Sequence, residues 1–176
     1  MALPFFWLDF PRGEGGMESA ARYWALATLS VLFWLFVSIA RLARHRFFSP
    51  EDIDGGAGST TSREARVLQS ILQNTLEQTV LASGVYGAWL ILAPAELKLL
   101  LLFCAALYSL GRLLFIVGYS RGAVGRATGF ALTFYPTVGL FLLLLGLEAA
   151  RTTGIDVALS ARFVDGPTGF LPLIER

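Results

Sequence analysis

The run Leu99–Ser120, LLLLFCAALYSLGRLLFIVGYS, holds 22 residues and a single charge, Arg112. About 20 helical residues cross the hydrocarbon core of a bilayer, so this run is long enough to span one. Its lone arginine is costly there, which marks the helix as more than an anchor. Three further stretches carry no charge. Tyr23–Ala40 and Gln78–Ala95 have 18 residues each, and Ala127–Leu147 has 21, ending in LFLLLLGL. The helix holding the second of these is expected to begin earlier, near Arg66. Together the four runs predict an all-α integral membrane protein with four transmembrane helices.

Composition points the same way. The chain is 55% apolar before its 18 Gly are counted, and only 15% charged. Soluble domains average about 45–50% apolar with Gly included and about 25% charged. At 176 residues the chain is one domain by length, and a soluble fold of that size could not bury so much Leu, Phe and Ala. A soluble enzyme is excluded. The 14 Lys+Arg nearly balance 13 Asp+Glu, which argues against a nucleic-acid binder, since that would need a basic face or stripe. One Cys and one His rule out a disulfide framework and leave no expected metal site.

The polar segments divide the chain. Residues 1–18 form an N-terminal extension, 19–147 the transmembrane domain and 148–176 a C-terminal tail. Residues 41–65 are expected to form a polar loop, Ala93–Glu96 a tight link and residues 121–126 a second. Ser38 and Ala40 resemble a signal-peptidase site, but Arg41, Arg44 and Arg46 follow the apolar run, as they do in a stop-transfer anchor. Loops 41–65 and 121–126, together with Arg66 at the edge of the first, carry seven arginines against six basic residues on the other face, placing those loops in the cytoplasm. Thirteen Arg to one Lys hint at a GC-rich bacterial genome, and hence a bacterial cytoplasmic membrane.

Polar side chains inside the spans are the candidates for function. Arg66, Ser70, Asn74 and Glu77 recur at helical spacing on one face of the second helix, flanked by Gln69 and Gln73. Tyr108, Arg112, Phe115 and Tyr119 do the same on the third. Glu77 lies roughly 16 Å beyond Arg66 and Arg112 roughly 12 Å before Ser120, so an ion pair between them at matched depth is expected. The plainer alternative makes these groups interhelical glue. Arg121 and Arg126, with Arg41, Arg44 and Arg46, gather at the same membrane face and form an anion-attracting mouth, although topology alone would also put arginines there. Cys104 is expected to be an inert core thiol, His45 to be interfacial, and Glu51, Asp52 and Asp54 to form a solvated acidic turn. Gly118-xxx-Gly122 and Gly125-xxx-Gly129 offer close helix packing, and Pro136 should loosen the fourth helix without breaking it.

With these features in place the chain resembles the MAPEG family, the membrane-associated proteins of eicosanoid and glutathione metabolism. Leu72-Gln73-Asn74-Thr75-Leu76-Glu77-Gln78 is similar to the family's Asn-x-x-Glu element. Arg112-Leu-Leu-Phe-Ile-Val-Gly118-Tyr119, followed by Arg121 and Arg126, is similar to its Arg-x-x-aromatic-x-x-Gly-Tyr segment and the arginines after it. The resemblance covers roughly residues 20–147 and implies a four-helix bundle assembled as a homotrimer, with glutathione bound between subunits near the cytoplasmic face. It implies that Asn74 and Glu77 hold the glutathione backbone, that Arg112 pairs with Glu77 or reaches the ligand, and that Tyr119 lines the pocket. Arg126 corresponds to the arginine that stabilises the thiolate, Arg41 to an arginine ending the first helix, and Arg121 to one following the Gly-Tyr pair. A cation beside the thiol favours the nucleophilic anion.

Three positions depart from the family pattern. Ser70 stands where many members have Arg, Phe115 where Tyr is usual, and Ala127 where some branches have Ser. Three functions stay open: a glutathione-dependent transferase or peroxidase acting on lipophilic electrophiles in the membrane; a non-catalytic member binding a lipid, a thiol or a partner protein; and a small transporter or channel subunit. The absence of a broken helix disfavours the last.

Overall fold

The computed structural model describes residues 17–54, 62–94 and 97–153. They form four α-helices: α1 (Met17–Phe48), α2 (Arg63–Leu92), α3 (Lys98–Gly118) and α4 (Gly122–Thr152). A 3-10 turn, Tyr119–Arg121, joins α3 to α4 with no coil residue between them, so the helices fall into three contiguous stretches of chain rather than four separate ones. The expected link at 121–126 shrinks to 119–121, and residues 122–126 form the first turn of α4. Gly122 permits this sharp reversal by taking φ 78°, a left-handed conformation that glycine adopts without penalty.

The polar segment 41–65 is also shorter than expected, because α1 stays helical through Phe48 and α2 begins at Arg63. Polarity does not end a helix when the residues are Arg, Leu and Ala, which are good helix formers. Two stretches are long and apolar enough to cross a membrane, Ala21–Phe48 and Lys98–Thr152. The second has 55 residues and doubles back at the 3-10 turn. The expected fourth span, α2, has 30 residues but falls short in hydropathy because charged and amide side chains fill its first half. Pro136 sits inside α4, which continues through it.

Side-chain pairs fix the register. Ser38 of α1 meets Thr75 of α2 at 3.4 Å, and Thr79 of α2 meets Tyr108 of α3 at 3.1 Å. Neighbouring helices therefore run antiparallel, and the α1–α2 connection lies at the same end as the α3–α4 turn. Trp89, Tyr86, Ala82, Val31, Leu101 and Leu140 lie in the apolar core, and Trp89 Nε1 donates to the Leu97 carbonyl at 3.3 Å, pinning the α2–α3 link. Outward-facing Phe36, Val80, Ile91, Phe103 and Leu142 are exposed, while Ser38, Thr75, Thr79, Arg112, Thr133 and Thr137 are buried. An apolar exterior around a polar seam is what a lipid solvent favours.

Glycines let α3 and α4 touch. A Cβ on Gly118 would overlap the Gly125 carbonyl, and one on Gly129 would overlap the Phe115 amide. Of the two expected small-residue pairs, Gly125 and Gly129 serve packing together, whereas Gly122 makes the turn and Gly111 joins Gly118 at the contact.

The acidic turn after α1 also differs from expectation, since Asp52 is buried. Its carboxylate accepts from the Ser62 hydroxyl, from the Ser62 backbone N–H at 3.0 Å and from His45 Nε2 at 2.9 Å. The Ser62 hydroxyl in turn caps α2 by accepting from Ala65 N–H at 3.1 Å. The Ser62 bonds, more than His45, hold the Asp52 pKa down from 3.8 to about 2. A folded-state pKa below the unfolded one gives stability that is whole above about pH 4 and is lost as pH falls through about 2. Proteolysis at the α1–α2 connection should therefore rise between pH 4 and 2, and Asp52→Asn should remove that acid dependence.

Candidate functional site

At the turn end of the bundle, α2, α3 and α4 line an open cavity of about 340 Å3. Asn74 of α2 contributes to its wall, with Phe115 and Tyr119 from α3 and the turn, and Arg126 and Phe130 from α4. Helical spacing explains the set. Residues 112, 115 and 119 share one face of α3 and its continuation, and Arg126 is one turn into the antiparallel α4.

Arg112 is fully buried behind this wall. Nη1 donates to Asn74 Oδ1 at 3.0 Å and to Thr75 Oγ1 at 3.2 Å, and Nη2 donates to Thr133 Oγ1 at 3.0 Å. Its guanidinium stacks 4.5 Å from the Phe115 ring centre. Phe115 meets Tyr119 edge-on at 5.5 Å, and the Arg126 guanidinium lies 4.7 Å from the Tyr119 ring centre. Cation, ring, ring and cation thus form one ladder along the cavity. Among the described residues Arg112 has no carboxylate partner, and its Nε has no hydrogen-bond partner. A buried cation without a counter-ion is costly and gives the cavity a positive potential.

The expected Glu77–Arg112 ion pair is absent. Glu77 is exposed and accepts from Gln73 Nε2 at 3.0 Å. Thr75, two residues from Glu77, does touch Arg112, so depth does not keep Glu77 and Arg112 apart. Azimuth does. At about 100° per residue Glu77 points some 200° away from Thr75, so uncharged Asn74, Thr75 and Thr133 take the guanidinium instead. Glu77→Gln should accordingly leave the Arg112 contacts intact, so any loss of stability falls on subunit assembly and not on the bundle, measured by thermal melting beside oligomer size.

Of the sequence candidates, Asn74, Tyr119 and Arg126 line the cavity and Arg112 backs it. Glu77 lies on the outer face of α2, Arg121 is exposed in the turn, and Arg41 lines a different cavity with Arg44 and His45. Ser70, Phe115 and Ala127, the three departures from the family pattern, all line the first cavity. Thr75 and Thr133 escaped the sequence reading, because a threonine in an apolar helix ordinarily bonds its own backbone. Both do so here, to Ile71 and Phe130, while also accepting from Arg112.

Fold and site define a helical membrane protein with a cavity at one end of its bundle, lined by Arg126 and backed by Arg112. Residues 21–146 match the MAPEG family, and the chain belongs to that family, a membrane protein family of glutathione and eicosanoid metabolism. No curated protein and no solved structure matches the chain.

Proposed function

We propose that the protein is a glutathione-dependent membrane transferase or peroxidase acting on lipophilic electrophiles, working as a homotrimer. The observation that carries this reading is the Arg112–Phe115–Tyr119–Arg126 ladder along a cavity of about 340 Å3, within the size range of small-molecule sites. The residues present suit an anionic thiol peptide. Arg112 Nε lacks a partner, Asn74 is oriented by Arg112, and Arg126 lies at the cavity wall without a carboxylate partner among the described residues. Glutathione, when bound, supplies a thiol nucleophile. Asn74 and Tyr119 would hold its peptide groups, and Arg126 would keep the sulfur deprotonated by placing positive charge beside it. Arg112 would hold Asn74 in place and offset the carboxylate charge.

The outer face of α2 supports the oligomer. Arg66, Gln69, Ser70, Gln73 and Glu77 are exposed in the single chain, and a polar stripe at that depth is expensive against lipid. A second subunit would cover it and bring Glu77 to the site. The arginines at this end favour a cytoplasmic setting for both short connections, in a bacterial inner membrane.

A second reading has its own observation. Ser70, Phe115 and Ala127 leave the cavity without the arginine, tyrosine hydroxyl and serine that the family pattern brings there, which suits ligand binding without turnover. Reconstituted protein given glutathione and a lipophilic epoxide separates the two. Conjugate formation above the uncatalysed rate supports the enzyme. Saturable glutathione binding without conjugation of any electrophile supports the binding protein.

A further inference from the structure

A second cavity, of about 420 Å3, lies at the end of α1 and is lined by Arg41, Arg44, His45, Phe48, Glu64 and Leu68, with Ser49 at its edge. We propose that it binds the phosphate of an anionic lipid headgroup, with Arg44 as its principal contact.

Four observations carry this. First, Arg41 and Arg44 have no hydrogen-bond or ion-pair partner among the described residues. Nearby Arg46 is occupied by Gln69 Oε1 at 3.1 Å. Second, the cavity wall carries two arginines against one carboxylate, Glu64, whose side chain is 74% exposed. Asp52 meets His45 Nε2 at 2.9 Å, and Glu64 lies 3.7 Å from His45 Nδ1. The two guanidiniums, one helical turn apart on the same wall, are left for an external anion.

Third, the depth is that of lipid phosphates. The charge-free part of α1 ends at Ala40, and Arg44 lies about 6 Å further along the axis. The headgroup layer occupies roughly 5–7.5 Å on each side of the hydrocarbon. Side chains on a helix tilt toward its N-terminus, which here leans Arg44 and Phe48 back toward the hydrocarbon. Fourth, Phe47 and Phe48 are 74% and 72% exposed and Ile53 is 59% exposed at this same end. Large apolar groups so exposed beside arginines suit the boundary between headgroup and acyl chain, and they favour a lipid over free phosphate as the source of the anion.

The test is native mass spectrometry of the detergent-purified full chain titrated with phosphatidylglycerol, with phosphatidylcholine and with inorganic phosphate, in the absence of any thiol. Phosphatidylglycerol should be retained in preference to phosphatidylcholine, and Arg44→Ala should weaken its retention about fivefold, as expected for one arginine near an anionic surface. Arg44→Glu should weaken it further, and Arg44→Lys should keep most of it. Equal retention of the two lipids would overturn the proposal, as would a phosphatidylglycerol preference that survives in Arg44→Ala and Arg44→Glu. Displacement of the lipid by inorganic phosphate at matched concentration would assign the cavity to the free ion and overturn the lipid assignment. Arg44 is exposed, so its variants should melt with the parent chain. The readout needs no glutathione, so it stands or falls apart from the cavity at Arg126.

Discussion

Replacing Arg126 by alanine should lower glutathione-dependent turnover about 10²- to 10³-fold, the scale of removing one preorganised electrostatic group from an active site, while the fold persists. Arg126 is half-buried in the first turn of α4, stacked on Tyr119, and makes no hydrogen bond to another described residue. Its removal costs one cation–π contact, about 0.5–1 kcal/mol, too little to unfold the bundle. Arg126→Lys should fall between, because it keeps the charge but loses the planar stack on Tyr119. Turnover with a lipophilic epoxide, measured beside thermal melting, separates loss of chemistry from loss of structure. Full turnover in Arg126→Ala would remove this residue from the mechanism.

The second large effect is structural. Gly118→Ala and Gly129→Ala place a Cβ on backbone atoms of the facing helix, the Gly125 carbonyl and the Phe115 amide. Backbone cannot rotate aside as a side chain can, so each change should cost at or above the upper end of the roughly 1–3 kcal/mol usual for overpacking. The displaced element is the α3–α4 hairpin that carries Phe115, Tyr119 and Arg126, so ligand binding should weaken along with stability. Gly139→Ala is the control, since a Cβ there meets nothing within 4 Å. It should be neutral or stabilise the helix by up to about 1 kcal/mol. Melting of the three variants in one detergent decides the matter, and equal melting temperatures would mean that α3 and α4 do not pack through their glycines.

The helices and their order were legible because apolar runs bounded by charge read directly as helix lengths. Their ends were not. The arginines after Ala40 suggested a loop, yet arginine and alanine extend helices well, and α1 runs on through Phe48. The turn at Tyr119–Arg121 was placed late because Gly122 reads equally as a packing glycine or as a left-handed turn residue. In the site, spacing found the face of α3 that carries Arg112, Phe115 and Tyr119. It misassigned the partner of Arg112, since charge complementarity pointed to Glu77 while the azimuth of α2 presents Asn74 and Thr75. Thr133 was beyond reach, because nothing local in α4 records which turn of α3 it faces. Asp52 was hidden for a similar reason. Its partners, His45 and Ser62, lie seven and ten residues away on helices whose ends the sequence did not fix.

The central claim is that the cavity between Asn74 and Arg126 binds glutathione, and the melting temperature of the purified protein against rising glutathione, with S-methyl-glutathione alongside, tests it most directly. A rise that grows with the logarithm of concentration above the dissociation constant is expected, about 2.7 kcal/mol of added stability at 100 times that constant, and Asn74→Leu should abolish it. A melting temperature indifferent to both compounds, or a rise that Asn74→Leu leaves intact, would contradict the assignment of this cavity to glutathione.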